Sequence, residues 1–168
     1  AVEVFDASGE RKLSSAAVND CVLTAGAPFR MIELHMQLDG VEGPVLNGDG
    51  VIVSTPIGST AYNVSAGGPI LQPSIEAFAI TPVAPHSLAC RPIVASAETK
   101  IMFEISRANA GTTLVLDGQI NHPIQIGDRI EVHANPQRAL LLGNADSPYW
   151  RTLIDKMRWA APPTYRDR

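Results

Sequence analysis

Short β-rich runs, each closed by a glycine or proline turn, recur along the first 142 residues and limit the folds open to this chain. Residues 30–40 alternate polar and apolar side chains, which is typical of an antiparallel strand with one buried face. Turn dipeptides such as Asp117-Gly118 separate the later runs, whereas residues 41–48 are predicted as loop. About nine strands favour a mainly β, antiparallel sandwich-like domain. The predicted runs lie at 2–5, 14–23, 30–40, 51–53, 78–83, 99–106, 112–116, 129–133 and 138–142.

Charge and composition exclude several classes of partner. The 168 residues carry 13 basic and 17 acidic side chains without a basic cluster, which argues against nucleic acid or an anionic membrane as the main partner. No apolar run approaches the length of a membrane span, and no signal segment opens the sequence. Cys21 and Cys90 lie outside any Cys-x-x-Cys pattern, so we expect free thiols, a cytoplasmic location, no metal site and no redox role.

Residues 49–69 combine a strand, a turn and a short helix. The apolar run at 51–53 predicts a buried strand, and Ser59 is a predicted N-cap for a helix over 60–65 that Gly67-Gly68 would end. A strand that delivers glycine and hydroxyl groups to the start of a helix exposes backbone N–H groups that can meet a polar or anionic ligand. A ligand-free structural corner is the alternative for such a cluster.

The pattern changes after Ser147. Trp150, Leu153, Ile154 and Met157 recur at helical spacing and predict one amphipathic helix, ended by two prolines. The expected organisation is an all-β domain at 1–146, this helix at 147–160 and a tail at 161–168.

The central stretch carries a resemblance to a known family. The residues Asp-Gly-Val-Ile-Val-Ser-Thr-Pro-x-Gly-Ser-Thr-Ala-Tyr at 49–62, followed by Ser-Ala-Gly-Gly-Pro at 65–69, resemble the C-terminal-domain signature of NAD kinases. Three further elements resemble motifs of that family: Asn19-Asp20 ahead of a strand, Thr-Pro-x-x-Pro-His-Ser-Leu at 81–88, and Asp-Gly-Gln at 117–119. The similarity covers almost the whole chain.

The resemblance implies a binding site for NAD and assigns residues to it. The adenosine half is expected at Asn19, Asp20, Thr60, Ala61 and Tyr62, and the nicotinamide half at Asp49 and Ser65. The further lining positions that it implies are Arg30, Asn47, Asn63, Val64, Ala84 and Gln119. Two positions depart from the family pattern, because Asp20 replaces the usual Glu and Ile57 stands where Thr or Ser is usual.

The resemblance also implies what a whole enzyme would contain. NAD kinases phosphorylate the 2′-hydroxyl of the adenosine ribose of NAD, with ATP or in some bacteria polyphosphate as donor, and with Mg²⁺. They have an α/β N-terminal domain and an all-β C-terminal domain, usually in homodimers or homotetramers. The Gly-Gly-Asp-Gly motif, whose Asp acts as the base, does not occur in these 168 residues. We therefore expect a fragment that binds NAD, has no catalytic residue or metal ligand of its own, and packs its terminal helix on the N-terminal domain.

Alternative interpretations remain open from the sequence. The chain could be a stand-alone NAD(P)-binding module without turnover, or the C-terminal domain of a related lipid or sphingoid kinase. His86, in the rigid Pro-His-Ser loop, is the best candidate for a general base among the histidines, but no partner acid or nucleophile lies at a fixed spacing from it. We therefore expect it to form part of the wall of the site.

Overall fold

Twelve strands form two six-stranded antiparallel sheets in the residues that the computed structural model describes, which are 1–28, 30–140, 142 and 148–159. The strands are β1 Val2–Phe5, β2 Arg11–Ser15, β3 Asp20–Thr24, β4 Ile32–Leu38, β5 Val41–Gly48, β6 Gly50–Ser54, β7 Ala77–Val83, β8 Ile93–Ser96, β9 Ile101–Arg107, β10 Thr113–Leu116, β11 Ile120–Pro123 and β12 Arg129–Val132. The helical pieces are a 3₁₀ turn at Gly58–Thr60, α1 at Tyr62–Ser65 and α2 at Tyr149–Met157.

The two sheets enclose one apolar core. The first sheet has the order β2-β1-β12-β9-β4-β5 and the second the order β11-β10-β3-β6-β7-β8. Alternate residues of both sheets contribute to the core, among them Phe103 and Leu34 from the first and Leu23 and Ile80 from the second, all 1% exposed or less. The prediction of a mainly β, antiparallel sandwich-like domain is therefore confirmed.

A third layer covers the outer face of the second sheet. Ile52 of β6 and Ala79 of β7 point away from the core between the sheets, yet both are fully buried. Ala79 packs with Ala77 and with Leu71, a residue of the segment that follows β6. The chain from residue 58 to residue 71 therefore lies on β6 and β7, and this layer contains most of the central signature.

Several local predictions are wrong. Residues 41–48, predicted as loop, form β5, which pairs with β4 at the edge of the first sheet; Pro44 fits there because an edge strand needs ladder hydrogen bonds on one side only. The short edge strands β8 and β11 were not predicted. Residues 138–140 and 142 form no strand, and residue 141 lies outside the described residues.

The structure divides the chain into two compact units, Ala1–Pro136 and Gln137–Arg168. Within the second unit, α2 confirms the predicted terminal helix; it ends at Met157, and the C-cap residue Arg158 has a positive φ of 51°. Trp150 and Ile154, from its apolar stripe, are each more than half exposed. The predicted end of the helix at residue 160 lies outside the described residues. None of the helices in the described ranges is long and apolar enough to span a membrane.

Candidate functional site

The backbone turn that leads into β3 is held by a carboxylate from a distant hairpin. Asp117 accepts hydrogen bonds from the backbone N–H groups of Val18, Asn19 and Asp20 at 2.8, 2.7 and 3.0 Å. The N–H of Asp117 donates in return to the carbonyl of Asp20 at 3.1 Å. Because β10 pairs with β3, Asp117 at the end of β10 lies opposite the start of β3. The sheet pairing therefore brings this carboxylate to the turn.

The carbonyl groups of the same turn are held by the central signature. The Thr55 hydroxyl donates to the Val18 carbonyl at 2.6 Å, and the Thr55 N–H donates to the Asn19 carbonyl at 2.9 Å. The same hydroxyl accepts the N–H of Gly58 at 3.1 Å. A Cβ atom on Gly58 would lie 2.0 Å from the carbonyl oxygen of Asn19, so only glycine fits between the two segments. Both sides of the turn are fixed, and the side chains of Asn19 and Asp20 have a defined position.

Asp20 is a buried acid without a donor of its own. The residue is 6% exposed, and its carboxylate accepts no hydrogen bond from the part of the chain that the structure describes. Burial and, second, the nearby Asp117 carboxylate raise the pKa of Asp20 above its ordinary value. An ionised carboxyl group accepts hydrogen bonds only, so a ligand hydroxyl or N–H is the chemical complement of this position.

The predicted helix over residues 60–65 is two short pieces. Ala61, with φ −90° and ψ −127°, separates the 3₁₀ turn from α1. The predicted N-cap role of Ser59 is wrong, because its buried hydroxyl donates to the Pro56 carbonyl at 2.7 Å and accepts the Leu71 N–H at 2.9 Å. Ser59 therefore links the start and the end of the segment at residues 58–71 that covers β6 and β7, which we call the covering segment.

Ile57 occupies the N-cap position of the 3₁₀ turn. The Ile57 side chain makes no capping hydrogen bond, and the N–H of Gly58, the first residue of the turn, donates to the Thr55 hydroxyl instead. Since Thr and Ser cap helical turns through their hydroxyl oxygen, the apolar side chain of Ile57 means that the N-cap residue itself supplies no such bond. The departure from the family pattern at Ile57 thus removes the capping hydrogen bond that a Thr or Ser at this position could make.

The outer surface of the 3₁₀ turn and α1 presents an aromatic ring and small polar groups. Tyr62 is 48% exposed, and Ala61 and Ser65 are exposed beside it in sequence. Thr60 and Val64 are half-buried. An accessible phenol ring offers a face for stacking against a heterocycle.

Asn63 is turned inward and its side chain is used by the fold. It is fully buried, and its amide nitrogen donates to the carbonyls of Ser59 and Pro69 at 3.0 and 2.9 Å. Its amide oxygen accepts the hydroxyl of Thr81 at 2.7 Å. Both amide protons are therefore engaged, and the side chain joins the covering segment to β7.

A second polar corner lies at the other end of β6. The Asp49 N–H donates to the Val83 carbonyl at 3.0 Å, and the Asn47 carbonyl accepts the N–H of His86 at 2.8 Å. Between these contacts Ala84 has a positive φ of 44°, a left-handed conformation that is uncommon for a residue with a side chain. Residues 47, 49 and 84 are therefore brought together, with the Asp49 side chain exposed.

Two predicted site residues, Gln119 and Arg30, lie outside the two polar corners. Gln119 is exposed and follows Asp117 in the β10–β11 hairpin, which puts it beside the turn at residues 18–20. Arg30 is exposed in the loop after β3, where its carbonyl accepts the amide of Asn109 at 2.8 Å. Gln119 lies near Asp20, whereas Arg30 forms no hydrogen bond with the other predicted positions in the part of the chain that the structure describes.

The structure adds two residues that sequence reasoning did not assign to the site. Thr55 lies inside the signature, and its position next to Pro56 is the sequence feature that could have indicated its role in the site. Asp117 belongs to an Asp-Gly turn, which is explained by the hairpin alone, so the sequence gives no sign of its contacts with residues 18–20. Among the described residues no cluster of three or more His, Cys, Asp or Glu side chains could hold a metal ion.

Both cysteines are free thiols, and we expect them to differ in reactivity. Cys21 is buried in the core, and burial raises its pKa to about 12, whereas Cys90 is half-buried. The thiolate is the reactive form, and the raised pKa keeps the Cys21 thiol protonated at the pH of an ordinary labelling reaction. Iodoacetamide should therefore modify Cys90 well before Cys21 in the folded chain, as read by peptide mass. A folded Cys90→Ala chain should stay unmodified, and labelling of Cys21 at the rate of Cys90 would contradict this prediction.

Comparison with known proteins gives consistent matches. Residues 18–142 match the family model of the ATP-NAD kinase C-terminal domain. The NAD kinase of Rhodopirellula baltica is 38% identical over 146 residues, which is 87% of this chain and 47% of that protein. The NAD kinase of Geobacter sulfurreducens is 35% identical over 152 residues, which is 90% of this chain and 54% of that protein. The chain thus spans about half the length of the curated relatives it matches.

Two solved structures share the architecture. Yeast NADH kinase, solved in complex with NADH, superposes with a TM-score of 0.83 over 99% of this chain and 51% of that chain; at 24% identity this shows the fold alone. An NAD kinase from Archaeoglobus fulgidus, solved in complex with ATP, is 31% identical with a TM-score of 0.73, over 94% of this chain and 59% of that chain.

Proposed function

Because this chain belongs to the NAD kinase family through its C-terminal domain, we propose that it forms the part of such an enzyme that binds the acceptor nucleotide. The proposed reaction of the whole enzyme is phosphoryl transfer from ATP or polyphosphate, with Mg²⁺, to the 2′-hydroxyl of the adenosine ribose of NAD, which yields NADP. The names of the curated relatives support this reaction class. They also favour it over a lipid kinase.

The observation that carries the proposal is the separation of the two polar corners. Asp20 pairs with Ser54 at one end of β6, and Asp49 precedes Gly50 at the other end. The five residue steps from Asp49 to Ser54 along the strand span about 17 Å. Two polar corners at this separation, each with an acidic residue, suit a ligand with two sugar groups joined by a polar linker, which describes a dinucleotide.

Each corner would recognise one half of that ligand. Asp20 would accept a hydrogen bond from a ribose hydroxyl of the adenosine half, next to Asn19, and Tyr62 would stack on a ring of the ligand. Asp49 and Ser65 would serve the nicotinamide half. The remaining proposed lining positions are Arg30, Asn47, Thr60, Ala61, Val64, Ala84 and Gln119, together with Asn63, which would act by holding the loop in shape.

Recognition alone does not complete the reaction. Phosphoryl transfer requires a positioned acceptor, a base and neutralisation of the charge on the donor phosphates. The Gly-Gly-Asp-Gly motif that supplies the base in this family does not occur in these residues. We therefore propose that this chain binds NAD but does not phosphorylate it alone. Formation of NADP by the purified chain with ATP and Mg²⁺ would contradict this proposal.

The terminal helix is proposed to serve assembly. The apolar stripe of α2 includes Trp150 and Ile154, whose exposure leaves an apolar surface available. We propose that the helical region at 147–160 packs on the N-terminal domain of the whole enzyme, which we propose to be a homodimer or homotetramer.

The proposal is tested by titrating the purified chain with NAD in a calorimeter at pH 7.5. We expect binding by the wild-type chain, and an affinity lowered by roughly 10- to 100-fold in Asp20→Asn, since a hydrogen bond to a charged group contributes about 1.5–3 kcal/mol. Glu104→Gln is the matched control, because Glu104 is an exposed carboxylate on β9 in the other sheet. No binding by the wild type, or equal affinities in all three proteins, would overturn the proposed site.

The alternative function, a stand-alone NAD(P)-binding module, also predicts that the chain binds NAD in this titration. The two functions differ in what the neighbouring coding sequence supplies. Adding a purified N-terminal domain that carries Gly-Gly-Asp-Gly, together with ATP and Mg²⁺, should restore NADP formation if this chain is half of a kinase. Binding of NAD without turnover under those conditions would favour the module.

A further inference from the structure

On the basis of the proposed function, we propose that Asp117 is a positioning residue for the nucleotide. Its carboxylate holds the backbone at residues 18–20 and thereby presents the side chains of Asn19 and Asp20 to the ligand. Asp117 itself does not touch the nucleotide in this proposal. It acts through the turn that it binds.

The hydrogen bonds of Asp117 go beyond what its own hairpin requires. Asp117 and Gly118 have positive φ angles of 51° and 66°, as the two central residues of a tight hairpin turn do, and Asn serves equally well in that role. The carboxylate, however, accepts three N–H groups from residues 97 to 99 positions away. One of its oxygens binds the N–H groups of Asn19 and Asp20, and the other binds that of Val18.

This arrangement distinguishes Asp from Asn. Asparagine has one acceptor oxygen and one NH₂ group, which only donates. An Asn at position 117 would keep the hairpin and could keep the bonds to Asn19 and Asp20, but its NH₂ would face the N–H of Val18. Two donors facing each other push the turn away from its position. Asp117→Asn therefore tests the contact with the turn without removing a residue suited to the hairpin.

The charge of Asp117 also affects Asp20. In the described chain, the titratable groups that interact electrostatically with Asp20 are the Asp117 carboxylate on the neighbouring hairpin and the Cys21 thiol on the same strand, and the thiol is neutral below about pH 12. The Asp117 charge is one of the two causes that raise the pKa of Asp20. An ionised Asp20 accepts the hydrogen bond of a ligand hydroxyl more strongly than a protonated one, so affinity falls as the pH drops through this pKa. Removing the Asp117 charge lowers the pKa and moves the fall in affinity to lower pH.

The chain offers a matched control in Asp39. Asp39 and Gly40 form the turn between β4 and β5 with positive φ angles of 52° and 78°, and the Asp39 carboxylate accepts the N–H of Lys100 at 2.9 Å. Asp39→Asn therefore makes the same chemical change in the same kind of turn. It lies on the other sheet, away from residues 18–20.

The experiment measures the dissociation constant for NAD between pH 4.5 and 8 for the wild type, Asp117→Asn, Asp39→Asn and Asp20→Asn. We expect Asp117→Asn to weaken binding about tenfold at pH 7.5 and to shift the acid midpoint downward, and Asp39→Asn to change neither. Asp20→Asn reports any acid dependence that comes from NAD itself. Unchanged affinity or an unchanged midpoint in Asp117→Asn would overturn the proposal.

A measurement without nucleotide keeps the two proposals separate. Amide hydrogen exchange followed by NMR should show faster exchange at Val18, Asn19 and Asp20 in Asp117→Asn than in the wild type or Asp39→Asn. Unchanged protection would overturn the role of Asp117 even if NAD binds. Failure of the wild type to bind NAD would overturn the proposed function instead.

Asp117→Glu serves as a second variant if Asp117→Asn does not fold. It keeps the negative charge, so we expect weaker NAD binding with the acid midpoint of the wild type. A midpoint shifted to lower pH would contradict the electrostatic part of the proposal.

Discussion

Gly58→Ala is expected to lower the free energy of unfolding by about 3 kcal/mol and to abolish NAD binding at accessible concentrations. The added Cβ would lie 2.0, 2.4 and 2.5 Å from the carbonyl oxygen, carbonyl carbon and Cα of Asn19. These are backbone atoms, so no side-chain rotation relieves the overlap. The turn at residues 18–20 is also held by Asp117 and Thr55, and displacing it disturbs hydrogen bonds on both sides.

The control for this prediction is a glycine where space is free. Gly67 has a positive φ of 83°, and nothing lies within 4 Å of an added Cβ. Gly67→Ala therefore carries only the conformational cost of a left-handed alanine, about 1 kcal/mol. Urea unfolding of both variants measures the difference, and calorimetric titration with NAD measures binding. Equal stability losses, or NAD binding by Gly58→Ala as tight as in the wild type, would contradict the prediction.

The fold class could be predicted because the strands show their burial in the sequence. β4 alternates buried and more exposed residues along most of its length, and the sequence alternates in the same way. β5 was missed because Gly43, Pro44 and Gly48 resemble a loop, although an edge strand tolerates all three. The order in which the strands pair cannot be predicted from local sequence patterns. The order β10-β3-β6 depends on contacts between residues far apart in the chain.

The residues of the candidate site stay a prediction from resemblance, whereas the hydrogen bonds that hold them in place come from the structure. The resemblance to the family predicts that Asn19, Asp20 and Tyr62 belong to one site. It did not show that Asp117 and Thr55 hold the first two in place, because those hydrogen bonds depend on which strands become neighbours. The burial of Asn63 was equally hidden, since a polar residue in a short helix suggests an exposed position by composition alone.

Asn63→Ala is expected to lower the free energy of unfolding by about 3–5 kcal/mol. The substitution removes three hydrogen bonds in a fully buried position and leaves the carbonyls of Ser59 and Pro69 and the hydroxyl of Thr81 without this partner. A buried polar group without a partner costs about 1–3 kcal/mol. The covering segment should therefore detach from β7, and the surface that carries Tyr62 should lose its shape, so NAD binding should weaken together with stability.

A double-mutant cycle separates the hydrogen bond from the general loss of packing. Thr81→Val removes the hydroxyl that Asn63 accepts and keeps the shape of the side chain. In the Asn63→Ala background that hydroxyl has lost its partner, so adding Thr81→Val should cost about 1 kcal/mol less than in the wild type, or even restore stability. Urea unfolding of the four proteins gives the coupling free energy. Additive losses would show that the buried bond between Asn63 and Thr81 does not join the covering segment to the sheet, and the stability of the site would then depend on apolar packing around Leu71 and Ala79 instead.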